Sequence, residues 1–200
     1  MSSTKTNQRV ATIERNTKET QIKISVDLDG TGEAQIDCPV KFLGHMLDQI
    51  ARHGSFDLNV QAAGDIEIDA HHTVEDVAIT LGKAFREAIG EPVGIQRFGH
   101  ARCPLDEALA DAVVDLSGRP YSVVNTPDLP HAIGDLPGEL FEHFIHSLAD
   151  NMRASIHINI EYGRNGHHMI EASFKALARA LKQATRQTGS GVIPSTKGAL

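Results

Sequence analysis

The chain has 200 residues, of which 40% are hydrophobic and 22% charged, with a formal net charge of −7. This length suits one domain, or two small halves that share a core. The negative charge and the few aromatic residues argue against a nucleic-acid binder. There is no apolar run long enough to span a membrane. Two distant cysteines and a polar start predict a cytoplasmic protein with buried thiols.

The predicted elements of the first half come in a simple order. Residues 1–8 form a polar N-terminus that we expect to be flexible. Strand-like segments follow, and DLDGTGEAQI has the composition of a hairpin turn between two of them. A helix over LGHMLDQIARH comes next, then a strand in which Phe56, Leu58 and Val60 alternate with polar residues, then a helix that begins with HHTVE.

The second half repeats this series of elements. The stretch VDLSGRP echoes VDLDGTG, FEHFIHSLADN echoes the first helix, and GHHMIEASFKALARAL echoes the second helix. Between those two helices, Ile156, Ile158 and Ile160 alternate with polar residues, as in a strand. Self-similarity of this kind indicates an internal duplication.

The duplication predicts an α+β fold in which the sheets of the two halves join and helices cover one face. The seam is expected near Gly94, where GEPVGIQRFG breaks the helical pattern. We therefore expect a single domain over 9–200, built from two repeats of about 9–93 and 94–190. There is no stretch with the composition of a flexible linker, so the two halves should share one core.

The last helix of each half opens with two histidines and a glutamate. The motif occurs twice, 96 positions apart, and comprises His71, His72, Glu75, His167, His168 and Glu171. Residues four apart on a helix lie on nearly the same face, whereas adjacent residues diverge by about 100°. His71 and Glu75 can therefore bind one metal ion together while His72 points elsewhere. A single copy could be only a polar helix start, but two copies in register favour metal ligands.

Two metal sites account for all of these side chains. The first histidine of each motif would stay with its own glutamate, and the second would cross to the other site. His45 and His143, matched on the preceding helices, would complete two sets of three imidazoles and one carboxylate. Such a set fits a closed tetrahedral zinc or an octahedral Mn²⁺ or Fe²⁺ with open positions for a substrate. The sequence leaves open whether the halves meet within one chain or between subunits.

Basic residues near turns are candidate contacts for an anionic group. Lys175 lies one helical turn after the second motif and could reach a ligand on the metal. Arg97 and Arg119 lie in the glycine-containing turns IQRFG and LSGRP, and the tail IPSTKGAL places Ser195 and Lys197 in another turn. Each of these residues could equally be an ordinary solvated side chain. Together with a site for two metals, they indicate a small phosphorylated substrate.

Long, ordered motifs connect the chain to a known family. They are GHMLDQIARHGSFDL, DAHHTVEDVAITLG, RFG, PLDEALADAVVDLSGRP, EHFIHSLA, HHMIEASFKALARAL and PSTKGAL. From about Arg9 to Leu200 the chain resembles imidazoleglycerol-phosphate dehydratase, a family of hydro-lyases in histidine biosynthesis. The chain departs from the pattern at Gly44, where many relatives carry an aspartate. We expect a change in local helix capping there and little change in the chemistry.

The resemblance implies a fold, a metal content and an assembly. The fold would be a duplicated unit similar to domain 2 of ribosomal protein S5. Each active site would hold two Mn²⁺ ions, one bound by His45, His72, His167 and Glu171, the other by His71, Glu75, His143 and His168. Trimers would assemble into a 24-subunit homo-oligomer with active sites at subunit interfaces.

The resemblance also implies a substrate and its contacts. The substrate would be imidazole glycerol phosphate, dehydrated to imidazole acetol phosphate through a metal-stabilised imidazolate. The matching contact positions are Glu19, His45, His53, His71, His72, Arg97, Arg119, His167, Lys175, Ser195 and Lys197. Glu19 is expected to be the proton shuttle, with Glu75 or Glu171 sharing that role. Arg97, Arg119 and Lys197 would hold the phosphate.

Two other functions account for part of the pattern. A non-enzymatic cage assembled by metals would explain the histidines, but it gives no reason for Arg97, Arg119 and the tail lysine in separate turns. A dimetal hydrolase of phosphate esters would usually depend on carboxylates and a bridging water. The ligand set here is dominated by imidazoles, which disfavours hydrolysis.

Overall fold

The computed structural model describes residues 9–200. The first half contains β1 (Val10–Asn16), β2 (Thr20–Asp27), β3 (Ala34–Asp37), α1 (Lys41–Gly54), β4 (Asp57–Gly64) and α2 (His71–Ile89). The second half contains β5 (Phe98–Leu105), β6 (Ala108–Asp115), β7 (Tyr121–Asn125), β8 (Ala132–Ile133), β9 (Leu136–Pro137), α3 (Glu139–Met152), β10 (Ser155–Tyr162) and α4 (Gly166–Thr185). Apart from the short β8–β9 hairpin, both halves have the same order of elements. The N-terminus that we expected to be flexible lies outside the described residues.

Each half forms a four-stranded sheet with the same topology. The strand orders are β1-β2-β4-β3 and β5-β6-β10-β7. In each sheet the last pair is parallel, β3 with β4 and β7 with β10, and the other pairs are antiparallel. A parallel pair needs a crossover, which α1 and α3 provide. The predicted α+β fold with two similar halves is therefore confirmed, whereas the repeat boundaries 9–93 and 94–190 stay a prediction.

The expectation that the two sheets join is wrong. Over residues 9–200 no strand of one sheet pairs with a strand of the other. Instead α2 packs on β1 and β2, α4 packs on β5 and β6, and the helices of one half contact those of the other, α2 with α3 and α1 with α4. The helix α4 is buried around most of its circumference because it contacts both its own sheet and α1. Helix contacts thus unite the two halves.

The predicted hairpin in DLDGTGEAQI is also wrong, because β4 lies between β2 and β3 in the sheet. The Asp57 carboxylate, at the start of β4, accepts hydrogen bonds from the backbone N–H groups of Thr31, Gly32 and Glu33 at 2.7, 3.0 and 2.9 Å. The loop after β2 therefore wraps around the first residue of β4. Its hydrogen bonds go to a residue distant in sequence, which the local turn composition does not reveal.

The core lies between the helices and the inner faces of the sheets. The alternating residues of β4 and β10 are buried as predicted, namely Leu58, Val60, Ile156, Ile158 and Ile160. Gly82 allows α2 to approach α3, since a Cβ at this position would lie 2.8 Å from the carbonyl oxygen of Leu148. Within residues 9–200, no helix has both the length and the apolar character that crossing a membrane requires.

Candidate metal centre

Two clusters of candidate metal ligands form within residues 9–200. One consists of His45, His167 and Glu171, and the other of His71, Glu75 and His143. In each cluster, one ligand atom from every residue lies within 4.8 Å of the others. The first cluster spans α1 and α4, and the second spans α2 and α3. These are the two helix pairs through which the halves contact each other.

The Glu171 carboxylate is the centre of the first cluster. Its Oε2 lies 3.1 Å from His45 Nε2 and 2.9 Å from His167 Nε2, and its Oε1 lies 2.7 Å from Lys175 Nζ. Burial alone would raise the pKa of Glu171, but hydrogen bonds from Lys175, His45 and His167 outweigh it and lower the pKa to about 2. Glu171 is therefore a carboxylate, ready to act as a ligand, at neutral pH.

The second cluster is the counterpart of the first across the duplication. His143 Nε2 lies 3.1 Å from Glu75 Oε1, and the rings of His71 and His143 have centroids 4.5 Å apart. The repeat places Ile79 where the first cluster has Lys175. The two clusters therefore share a ligand set but differ in local charge.

The donor set and its spacing fit a divalent metal. Two ligands at right angles, each about 2.1 Å from an ion, are about 3.0 Å apart, and at a tetrahedral angle they are about 3.4 Å apart. The separations of 2.9 and 3.1 Å in the first cluster and 3.1 Å in the second match the right-angle value. Imidazole and carboxylate donors without thiolate suit Zn²⁺, Mn²⁺ or Fe²⁺. Within the chain, the same contacts are hydrogen bonds that hold the donors in place.

The second histidine of each motif lies outside these clusters. His72 Nδ1 is 3.2 and 3.1 Å from the two carboxylate oxygens of Asp65. His168 Nδ1 is 2.6 Å from Glu107 Oε2. The two rings of each motif are almost perpendicular, at 88° and 89°, which agrees with the expected divergence of adjacent helical residues. One chain thus brings together three members of each predicted set of four, and the placement of His72 and His168 on the metals stays a prediction.

The β1–β2 turn places Glu19 beside His72. The backbone carbonyl of Glu19 accepts a hydrogen bond from the N–H of Asp65 at 3.2 Å. The hydrogen bond to Asp65 raises the pKa of His72 by more than desolvation lowers it, and the charge of Glu19 adds to the increase. The structure therefore brings a residue that was singled out only by resemblance next to the first motif.

Arg97, one of the predicted phosphate contacts, forms an ion pair with Asp115. Its guanidinium donates to both Asp115 carboxylate oxygens at 2.7 and 3.2 Å, and to the carbonyl oxygen of Pro194 at 2.9 Å. The pair is largely buried, with 13% of the Arg97 side chain exposed. The bond to Pro194 places Arg97 next to the tail that carries Ser195 and Lys197.

The other predicted contacts lie in two places. Arg119 follows Gly118, against which the C-terminal Leu200 packs, because a Cβ at Gly118 would lie 2.7 Å from the Leu200 carbonyl carbon. Lys175 belongs to the first cluster, through Glu171. His53 lies near that cluster too, since burial and the charges of Lys175 and Arg179 lower the pKa of His53.

Comparison with known proteins connects this site to a family. The protein-family model described as imidazoleglycerol-phosphate dehydratase matches residues 38–181 of the chain. The chain belongs to the imidazoleglycerol-phosphate dehydratase family. The imidazoleglycerol-phosphate dehydratase of Citrifermentans bemidjiense is 56% identical over 195 residues, which are 96% of this chain and 99% of that protein.

Solved structures agree with the family assignment. The imidazoleglycerol-phosphate dehydratase of Staphylococcus aureus matches with a TM-score of 0.81 and 37% identity, over 90% of this chain and 99% of that chain. The imidazoleglycerol-phosphate dehydratase of Pyrococcus furiosus matches with a TM-score of 0.82 and 38% identity, over 94% of this chain and 100% of that chain. Membership of the dehydratase family makes this chain an enzyme of the hydro-lyase class.

Asp65 and Glu107 contact the second histidines of the two motifs, and the motif spacing reveals neither of them. Asp65 lies in the loop after β4, and Glu107 lies in the turn between β5 and β6, far in sequence from the histidine that it contacts. The duplication contains a signal for Glu107, because it directly precedes β6 just as Glu19 directly precedes β2. There is no comparable signal for Asp65.

Proposed function

We propose that the chain dehydrates imidazole glycerol phosphate to imidazole acetol phosphate in histidine biosynthesis, in the cytoplasm, with two Mn²⁺ ions per active site. The observation that carries the proposal is the pair of His/His/Glu clusters related by the internal duplication. Family membership supports the substrate and the reaction. The donor set and spacing of both clusters support divalent metals, and the choice of Mn²⁺ comes from the resemblance.

We propose that a second subunit completes each cluster. The metal sets would be His45, His72, His167 and Glu171, and His71, Glu75, His143 and His168. Within one chain, His72 and His168 each bond to a carboxylate away from the clusters, which supports a fourth ligand that comes from a neighbouring chain. The assembly would be a homo-oligomer of trimers with 24 subunits and with active sites at subunit interfaces.

The reaction has to remove a proton from a carbon that has no carbonyl beside it. Bound at the clusters, divalent ions would act as Lewis acids toward the imidazole ring of the substrate and favour its deprotonated form. Electron density from the ring then breaks the C–O bond of the adjacent hydroxyl, which leaves as water after gaining a proton. Loss of the proton on the next carbon gives an enol, and tautomerisation of the enol gives the ketone.

Glu19 is the main proton-transfer group in this proposal. Its carboxylate is exposed in the β1–β2 turn beside His72, a predicted metal ligand. The carboxylates of Glu75 and Glu171 each contact the histidines of one cluster. The pKa of about 2 makes Glu171 a weak base, so its share in proton transfer is smaller than that of Glu19. A carboxylate that accepts the carbon-bound proton can return it during tautomerisation.

The remaining residues bind and orient the substrate. Arg97, Arg119 and Lys197 would hold the phosphate, and Ser195 would be a further substrate contact. The ion pair with Asp115 orients the Arg97 guanidinium. Lys175 and His53 lie at the first cluster, where an ammonium group can hold a substrate hydroxyl close to the metal ligands.

A turnover assay tests the proposed function. Metal-stripped protein is mixed with imidazole glycerol phosphate, and the ketone product and inorganic phosphate are measured before and after Mn²⁺ is added. We expect ketone only with Mn²⁺, and no free phosphate. Absence of ketone while Mn²⁺ drives the chain into large particles would favour the cage, and release of phosphate would favour the hydrolase.

A further inference from the structure

The turns before β2 and β6 both end in a glutamate. Glu19 directly precedes β2 and Glu107 directly precedes β6, and these two strands hold equivalent places in their sheets. Each glutamate lies at the second histidine of a motif. Glu107 bonds to His168, and the Glu19 carbonyl accepts the N–H of Asp65, whose carboxylate bonds to His72. The duplication therefore places one glutamate at each of these histidines.

The two glutamates have different contacts despite their equivalent positions. Glu107 Oε2 lies 2.6 Å from His168 Nδ1, and its Oε1 accepts the backbone N–H groups of Arg164 and Asn165 at 3.1 and 2.8 Å. The hydrogen bond with His168 and these backbone bonds lower the pKa of Glu107 to about 2. In residues 9–200, no side-chain hydrogen bond or ion pair is found for Glu19.

Asp65 occupies the place at His72 that Glu107 occupies at His168. Both carboxylate oxygens of Asp65 lie within 3.2 Å of His72 Nδ1. A carboxylate at Nδ1 keeps a proton on that nitrogen, so the lone pair of the neutral ring is on Nε2 and can bind a metal. Among residues 9–200, the closest acidic oxygen to His168 Nε2 belongs to Asp106 at 3.9 Å, too far for a hydrogen bond.

We infer that Asp65 and Glu107 are positioning residues: by binding Nδ1 of His72 and of His168, they leave Nε2 of each ring free to bind a metal. Because Asp65 binds Nδ1 of His72, Glu19 does not have to make the contact that Glu107 makes in the second half. This inference rests on the proposed function, because it takes both histidines as ligands. It gives a physical reason why Glu19 is available for proton transfer. The carboxylate of the equivalent glutamate, Glu107, makes three hydrogen bonds, whereas the Glu19 carboxylate makes none with the residues between 9 and 200.

The two equivalent glutamates give a matched pair of variants, Glu107→Gln and Glu19→Gln. In Glu107→Gln the amide oxygen keeps the two backbone N–H bonds, so the amide nitrogen faces His168 Nδ1 and donates to it. The ring proton then moves to Nε2, which can no longer bind a metal. We expect the Kd of the Mn²⁺ ion that His168 binds to rise about 10- to 100-fold, and the Kd of the other Mn²⁺ ion to stay unchanged.

Glu19→Gln should have the opposite signature. Both Mn²⁺ ions should bind as tightly as in the parent protein, and kcat should fall because the proton-transfer group is lost. The two variants carry the same chemical change at duplicated positions, so a general loss of negative charge cannot explain a difference between them.

The variants of Asp65 provide an independent pair. Asp65→Ala should raise the Kd of the Mn²⁺ ion that His72 binds by about 10-fold or more. Asp65→Asn should restore its affinity, because neither side-chain oxygen of Asp65 has another partner among the described residues and the amide oxygen can face Nδ1. Glu142→Gln is the control, since Glu142 lies 3.1 Å from Nε2 of His146, a histidine outside the predicted ligand set, and both ions should bind as in the parent.

The measurement is a titration of metal-free, full-length protein with Mn²⁺, in which free Mn²⁺ is followed by its electron paramagnetic resonance signal. Parental affinity for both ions in Glu107→Gln, or equal weakening in Glu19→Gln, would overturn the inference. If Glu107→Gln does not fold, the Mn²⁺ affinities of Asp65→Ala and Asp65→Asn test the inference, and equal affinities in these two variants would overturn it. A parent protein that binds no Mn²⁺ would refute the proposed function itself, and the inference with it.

Discussion

Replacement of Gly44 by alanine should stabilise the protein. Gly44 lies in the first turn of α1, directly before His45, and we expected a change in helix capping at this position. The structure shows a different cap: the backbone N–H groups of Lys41 and Phe42 donate to the Asp135 carboxylate at 2.5 and 2.8 Å. The N-terminus of α1 is therefore capped by a residue of the β8–β9 hairpin, and a side chain at position 44 is not needed for it.

The size of the effect follows from the surroundings of Gly44. A Cβ there would lie 3.6 Å from Cys38 Cβ and from Ile36 Cγ2, which is ordinary van der Waals contact. Alanine is favoured over glycine inside a helix by about 0.5–1 kcal/mol. In a chain of 200 residues, a gain of about 1 kcal/mol raises Tm by about 2–4 °C.

Gly82→Ala is the matched control for Gly44→Ala. The gain in helix propensity is the same, but a Cβ at Gly82 would lie 2.8 and 2.9 Å from backbone atoms of Leu148 and Met152 in α3. Overpacking of this kind costs about 1–3 kcal/mol, so its Tm should fall. Thermal unfolding of the metal-free proteins, followed by circular dichroism at equal concentration, gives both values. A fall in Tm for Gly44→Ala, or shifts of the same sign in both variants, would refute the reasoning.

Three further variants test the site and the fold. His72→Ala should remove turnover and one bound Mn²⁺ together, measured by product formation and metal content; full occupancy with full turnover would show that the ligand assignment is wrong. Arg119→Ala should mainly raise KM in steady-state kinetics, and a loss confined to kcat would contradict a phosphate contact. Asp57→Asn tests pH dependence: hydrogen bonds from three backbone N–H groups lower the pKa of Asp57 below its usual 3.8. This stabilisation is present above pH 3.8 and is lost as the pH falls through the lower pKa of the folded state. The urea midpoint of the variant should therefore be lower than that of the parent at pH 7 and approach it near pH 2; an equal difference at both pH values would contradict this account.

The features that the sequence predicts well are those set by local geometry. The divergence of His71 and His72 follows from the helical repeat alone, and the alternation in β4 and β10 follows from the pleat of a strand. The duplication appears as a repeated motif because both copies need the same residue types in the same elements.

Features set by contacts distant in sequence could not be predicted in this way. The loop after β2 has the composition of a hairpin turn, but its N–H groups bond to Asp57, which lies beyond α1. The contact between Glu107 and His168 spans 61 residues, and no periodicity in the chain indicates it. The separation of the two sheets depends on which helices meet, and an apolar face does not specify its partner.

The contacts between the halves explain why the duplication is needed for the site as well as for the fold. The first cluster takes His45 from the first half and two ligands from the second half, and the second cluster takes His143 from the second half and two ligands from the first. Neither half contains a complete cluster, because α1 faces α4 and α3 faces α2. A change that separates the helix pairs would therefore open both clusters at once, so the packing between the halves and the ability to bind metal depend on the same contacts.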